Sequence, residues 1–166
     1  MKKGIQAALL LSLCAVLATV ITLLHFGKMP IQWAYDPNPE KCLPDLHLVL
    51  LVKSATTKPV AADLVFWSPS GALADIHQEY VLKRVAGTPG DRLKISGNTV
   101  SINGAVVVNG FPLADLYHRA PKEFERDEII PAGKVFMIGT HALSNDSRYW
   151  GYLDFNAIKG TGYKIF

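Results

Sequence analysis

From Ile5 to Phe26 the chain is apolar except at Gln6, Ser12, Thr19, Thr22 and His25. About 20 such residues in a helix are enough to cross the hydrocarbon core of a bilayer. A cleavable signal peptide has a shorter apolar core followed by a small-x-small site. Here the run continues through Leu23-Leu24-His25-Phe26-Gly27-Lys28 with no such site. The expectation is an uncleaved signal anchor: residues 1–27 form a single-pass transmembrane helix and residues 28–166 an extramembrane domain. Lys2, Lys3 and the amino terminus favour a cytoplasmic N-terminus, with Lys28 opposing, so the domain is expected on the far side of the membrane.

That domain reads as mostly β. Pro30, Pro37, Pro39 and Pro44 forbid a continuous helix in the approach segment. Trp33 and Tyr35 sit close to the membrane exit, as headgroup-level aromatics or as buried side chains of a linker. His47 to Val52, Ala61 to Trp67 and Val135 to Gly139 read as strands. Ala72 to Tyr80 is expected to form one short helix. Leu93 to Ser96, Thr99 to Ile102 and Ala105 to Val108 form a meander, whose Asn103-Gly104 turn is a strong hairpin signal because both residues tolerate positive φ. The charged stretch 109–130 reads as a solvated loop or short helix.

Composition narrows the function. The 166 residues carry a net charge of +3 with no block of Lys or Arg, so no nucleic-acid partner is expected. Cys14 and Cys42 are too few for a disulfide framework, and the five histidines show no ligand-like pairing. No metal and no organic cofactor are expected.

Chemistry concentrates at Tyr80 to Asp91. Its first half is a strand and its second, with Gly87, Pro89 and Gly90, a sharp turn. Lys83 stands on that strand. Removing an amine from water disfavours its charged form, which is how a lysine becomes a general base. The competing reading makes Lys83 and Arg84 two edge-strand charges facing water.

The nine residues Lys-Arg-Val-Ala-Gly-Thr-Pro-Gly-Asp, 83–91, resemble the lysine box of type I signal peptidases, membrane-anchored proteases with a Ser/Lys dyad. Ser144-Asn145-Asp146-Ser147-Arg148 resembles the Ser-x-Asp-Ser-Arg box of the same family. Ala61-Ala62-Asp63 resembles its Gly-Asp-hydrophobic box, with Ala62 at the glycine position. Cys42-Leu43-Pro44 resembles the nucleophile segment, closest to the Ser-Leu-Pro of the conjugative-transfer (TraF-type) subgroup, with sulfur in place of oxygen. Glu40 stands where many members carry an oxyanion-hole serine, and Gly139-Thr140-His141-Ala142 departs from the usual Gly-Asp-Asn-Arg.

The resemblance implies a compact antiparallel β-domain of signal-peptidase type on one N-terminal transmembrane helix, in the inner membrane with its catalytic domain in the periplasm. It implies Cys42 as nucleophile, Lys83 as base, Ser144 as the group that orients the lysine, and Asp146 with Arg148 as an ion pair in the wall of the site. Implied partners are the membrane and precursor proteins with leader peptides; the TraF-type likeness points to a conjugative pilin precursor, cleaved or cyclised. Three alternatives stand beside this: a related Ser/Lys self-cleaving repressor fold, a catalytically inactive module that binds leader peptides, and a structural component of a secretion machine.

Overall fold

The computed structural model describes residues 2–25, 30–38, 41–54 and 58–166. Lys28 and Glu40, both weighed above, lie outside these. The chain divides into two units, residues 1–32 and 33–166.

The first unit holds helix α1, Lys2–His25. Its segment Gly4–Leu23 is long and apolar enough to cross a membrane by length and composition. The few hydroxyls on it return to the helix's own backbone. Ser12 Oγ donates to Leu9 O at 2.8 Å, Thr19 Oγ1 to Ala15 O at 2.9 Å and Thr22 Oγ1 to Ala18 O at 2.8 Å. Such back-bonding removes most of the cost of a hydroxyl in an apolar surrounding.

From Ile31 onward the chain is built from two antiparallel sheets. The larger has the strand order β1-β2-β11-β3-β4-β9-β10, the smaller β7-β6-β5-β8. In the larger sheet these are β1 (Ile31–Tyr35), β2 (Leu48–Lys53), β3 (Leu64–Trp67), β4 (Val81–Gly87), β9 (Lys134–Ile138), β10 (Leu153–Asp154) and β11 (Ile158–Lys164). In the smaller they are β5 (Arg92–Ser96), β6 (Thr99–Ile102), β7 (Ala105–Asn109) and β8 (Arg126–Ile129). The mostly antiparallel β architecture expected from the sequence is the one observed.

Strand β4 runs through the middle of the larger sheet, between β3 and β9. Its residues alternate strictly, with Val81, Lys83, Val85 and Gly87 buried and those between them half-buried. A strand of period two places Lys83 on the same face as Val81 and Val85. The turn after it is held by Asp91, whose Oδ2 accepts from Thr88 N at 2.7 Å and Thr88 Oγ1 at 2.9 Å. Burial pushes that carboxyl up, but these bonds and one from Asn103 Nδ2 outweigh it and hold it below the ordinary carboxylate range. The expected Asn103-Gly104 hairpin forms with φ of 51° and 84°.

Two expectations are corrected, and one strand was not among those expected. Ala72 to Tyr80 is no helix. It contains a single 3-10 turn, Gly71–Leu73, followed by bends. Leu73 is buried and Ile76 partly so, and two apolar anchors do not offset the cost of nucleating a helix. Residues 109–130 do carry short helical turns, Asp115–Tyr117 and Pro121–Phe124, but they are not simply solvated: Phe111, Ala114, Phe124 and Ile130 belong to the core between β5, β6 and β9, and Arg126–Ile129 adds a fourth strand to the meander by pairing with β5. Finally, β11 near the chain's end went unread. It inserts between β2 and β3, where a Cβ on Gly160 would collide with the Val52 carbonyl.

Ala62 carries a positive φ of 74°. Its N–H donates to Val85 O at 2.9 Å, and Asp63 O accepts from Val85 N at 2.8 Å, so the bend delivers the chain to β4. For a residue with a Cβ this region costs about 1–2 kcal/mol. The extra freedom of glycine in the unfolded chain costs about 0.5–1 kcal/mol. Ala62→Gly is therefore expected to stabilise the domain by about 0.5–1 kcal/mol, read as a raised urea midpoint at unchanged slope. A lowered midpoint would show that the methyl group makes contacts worth more than the strain.

Candidate active site

Lys83 is 1% exposed and faces an apolar surface, directly across from Val65 on β3. A buried amine needs a polar partner. Sixty-one positions further along, Ser144 supplies it: Lys83 Nζ donates to Ser144 Oγ at 3.1 Å, and Ser144 is wholly buried. Of the two readings open at the sequence level, the edge-strand charge facing water is thus excluded for Lys83. Arg84, on the opposite face of the strand, is the residue that reaches outward, to Asp45 Oδ2 at 3.4 Å.

Ser144 is placed by the segment that follows it. Ser147–Trp150 forms the one-turn helix α2, and Asp146 caps it by accepting from Arg148 N at 3.2 Å. The same carboxylate accepts Arg148 Nε at 2.8 Å and Nη2 at 3.1 Å, so the pair is bidentate, with both side chains wholly buried. The guanidinium's remaining donors go to Gly110 O at 2.8 Å, Ser144 O at 3.0 Å and Ala142 O at 3.4 Å. Arg148 thereby grips the backbone of the residue that meets Lys83. Two further bonds tie the segment to β9: Met137 N to Ser147 Oγ at 2.8 Å and Gly139 N to Asp146 Oδ2 at 3.2 Å.

Cys42 is a free, half-buried thiol on the loop before β2. Its carbonyl accepts from His141 N at 3.1 Å, and Ser144 N donates to His141 O at 3.0 Å. Gly139 lies between them. A Cβ there would sit 2.6 Å from the Cys42 carbonyl oxygen and inside contact distance of Ser144 Oγ. Only a residue without a side chain lets the Cys42 backbone and the Ser144 hydroxyl approach one another this closely. The structure therefore brings four of the five sequence-derived candidates, Lys83, Ser144, Asp146 and Arg148, into one hydrogen-bonded chain. Cys42 joins them through the backbone around Gly139.

Sequence reasoning missed the support behind this array. Tyr117 donates from its hydroxyl to Asn145 Oδ1 at 2.6 Å and stacks on Tyr149 at 5.2 Å between centroids. Burial pushes both phenols above their ordinary range, so both act as neutral hydroxyls; that of Tyr149 accepts from Leu113 N at 3.1 Å. The signal was visible only as aromatics inside a charged stretch. Among the described residues, no group of three or more His, Cys, Asp or Glu side chains is placed to hold a metal ion.

The profile of the signal peptidase family, peptidase S26, matches residues 5–166. This chain belongs to that family. A signal peptidase I of Leptolyngbya laminosa is 30% identical over 145 residues, covering 81% of this chain and 68% of the relative. A signal peptidase I of Bacillus caldolyticus is 32% identical over 97 residues, 52% of this chain and 53% of the relative. The chain thus spans from about half to two thirds of the length of these relatives. A crystal structure of a signal peptidase I from Enterococcus faecalis V583 aligns with 63% of this chain and 97% of its own at 25% identity, with a TM-score of 0.40. Family membership gives the Lys83–Ser144 contact a chemical context: it joins the two segments whose sequences resemble the family's lysine and Ser-x-Asp-Ser-Arg boxes.

Proposed function

We propose that this chain is a membrane-anchored signal peptidase that cleaves leader peptides from exported precursors, with Cys42 as nucleophile and Lys83 as its base. The observation that carries the reading is the wholly buried contact between Lys83 Nζ and Ser144 Oγ. An amine held in the interior by one neutral hydroxyl is aimed and has no carboxylate partner among its described hydrogen bonds.

In the proposed reaction the thiol proton passes to Lys83 Nζ as Sγ bonds to the scissile carbonyl carbon. Backbone N–H groups, most simply that of Cys42, stabilise the oxyanion. Collapse breaks the C–N bond, and the departing amine takes the proton from Lys83. Water, activated by the same amine, then hydrolyses the thioester. Ser144 holds the amine in line, while Asp146 and Arg148 fix Ser144. Lys2, Lys3 and the apolar helix support an orientation with residues 28–166 in the periplasm. The Cys-Leu-Pro segment supports a dedicated substrate such as a conjugative pilin precursor.

A second reading is a leader-peptide-binding module that captures without cutting. Cys42 in the serine slot favours it, because sulfur's longer bond displaces the oxyanion from donors placed for oxygen. One experiment separates the two. Full-length protein in detergent is incubated with a secretory precursor carrying an Ala-x-Ala site and with a pilin precursor. Cleavage that iodoacetamide abolishes, and that Cys42→Ser partly retains, is the expected result. Stable capture with no product would establish the binding module instead, and cleavage indifferent to alkylation would place the nucleophile elsewhere.

A further inference from the structure

The residue before Cys42 is a lysine buried almost completely. Lys41 Nζ lies 3.0 Å from His47 Nδ1 and 3.4 Å from the carbonyl oxygen of Asp36. This one side chain ties the start of the loop carrying Cys42 to its end. His47 is itself anchored: its N–H donates to Phe166 O at 2.9 Å, and its ring stacks on the Phe166 ring at 6.4 Å. Between the tie points the loop is closed by a tight turn, Leu46 N to Leu43 O at 3.0 Å.

We infer that Lys41 and His47 form a latch that positions Cys42 for attack, and that the latch holds only while His47 is neutral. This deepens the proposed function and rests on Cys42 being the nucleophile. The chemistry is forced by the donor inventory. An ammonium has only hydrogens to offer, so Nδ1 must present its lone pair and the ring must carry its proton on Nε2. Protonation of the imidazole puts a hydrogen on Nδ1. The bond is then lost and two cations face each other at contact distance. Among the described residues, the carboxylates nearest the turn are engaged elsewhere. Asp45 pairs with Arg84 of β4 at 3.4 Å and with Lys164 of β11 at 3.7 Å. Asp36 turns its carboxylate to Asn38 N at 3.0 Å and gives the lysine only its backbone oxygen. Releasing the latch removes one of the ties on the segment that carries Cys42, whose carbonyl stays bonded to His141 N, and a displacement of about 1 Å at a nucleophile costs on the order of 100-fold in rate.

The test has two parts, both on the full chain in detergent. Nitrogen-15 NMR of the histidine rings is expected to show His47 as the Nε2–H tautomer with a bare Nδ1; the Nδ1–H tautomer would overturn the hydrogen bond whatever the activity. Cleavage of the Ala-x-Ala precursor is then followed against pH. Lys41→Met is expected to lower kcat by about 10- to 100-fold with KM little changed, because binding of the leader is not what the latch controls. His47→Gln offers a carbonyl acceptor that does not titrate. It keeps an acceptor for Lys41, so it is expected to retain near-wild-type kcat at neutral pH and to lose less activity than the wild type as the pH is lowered. Wild-type kcat in Lys41→Met, or a His47→Gln profile superimposable on the wild type, would overturn the latch while leaving the nucleophile in place. A wild-type chain that cleaves nothing would instead overturn the proposed function, and the latch with it.

Discussion

Lys83→Met is expected to abolish precursor cleavage while leaving the domain folded and about 1–3 kcal/mol less stable. The substituted side chain has nearly the length of the lysine stem and keeps the apolar contacts with Val81, Val85 and Val65 that the strand register implies. What it removes is a buried amine whose recorded side-chain partner is Ser144. Removing one partner of a buried hydrogen bond leaves the wholly buried Ser144 hydroxyl without the amine that donates to it, and an unsatisfied buried group costs about 1–3 kcal/mol. With Lys83 as the proposed base, the expected loss in rate is that of general-base catalysis, about 100- to 10,000-fold. Lys83→Arg should fail as well, since a guanidinium keeps its proton at neutral pH and is too wide for a position 1% exposed. Ser144→Ala keeps the amine but leaves it without its fixed partner, so the expected loss is smaller. The measurement is kcat/KM on the secretory precursor beside a thermal melt of each variant. Wild-type cleavage by Lys83→Met would remove this lysine from the mechanism, and a collapsed melt would show that the amine has a structural task.

Arg148→Met is expected to have the largest effect on stability, about 3–5 kcal/mol. That is a large share of the total for an ordinary domain. Both members of the Asp146–Arg148 pair are wholly buried. Removing the guanidinium leaves a carboxylate in the interior with only backbone donors, and it orphans the carbonyls of Gly110, Ala142 and Ser144. The double variant Asp146→Leu with Arg148→Met should recover part of the loss, because the uncompensated charge is gone. It should not recover all, because the three carbonyls remain unpaired and the cap of α2 is lost. Chemical denaturation of the three variants and the wild type gives the comparison. A single variant within about 1 kcal/mol of the wild type would mean that water or a neighbouring donor takes over the pair's role.

These two residues also show how differently parts of the site can be read from a sequence. The Asp146–Arg148 pair is local. The residues are two apart, a one-turn helix brings cap and guanidinium together, and the motif carries its own geometry. The orientation of Lys83 is not local. Lys83 and Arg84 are adjacent on a strand whose neighbours are all apolar or small, and period two says only that they point to opposite faces. Which face is covered depends on β3 and β9 lying on either side and on Ser144 arriving from far along the chain.

The same division runs through the whole protein. By itself the sequence determined the elements whose cause is local. The apolar run makes α1, because length and composition alone decide a helix of that kind. Asn103-Gly104 makes its hairpin, because positive φ is a property of those two residues. The β-preferring and apolar residues Val81, Leu82 and Val85 make β4, and Gly87, Pro89 and Gly90 end it. Tertiary structure decided the rest, where distant groups set the outcome. Gly160 and Gly162 weaken any strand signal in β11, yet the neighbouring strands leave room there for no side chain on Gly160. Phe111 and Phe124 sit among charges that mask them, and only the sheet they cover makes them core. Gly139 is read as a worn motif until the Cys42 carbonyl and the Ser144 hydroxyl are seen to converge on it. Close approach between segments far apart in the chain is a property of packing, and no spacing rule within one segment encodes it.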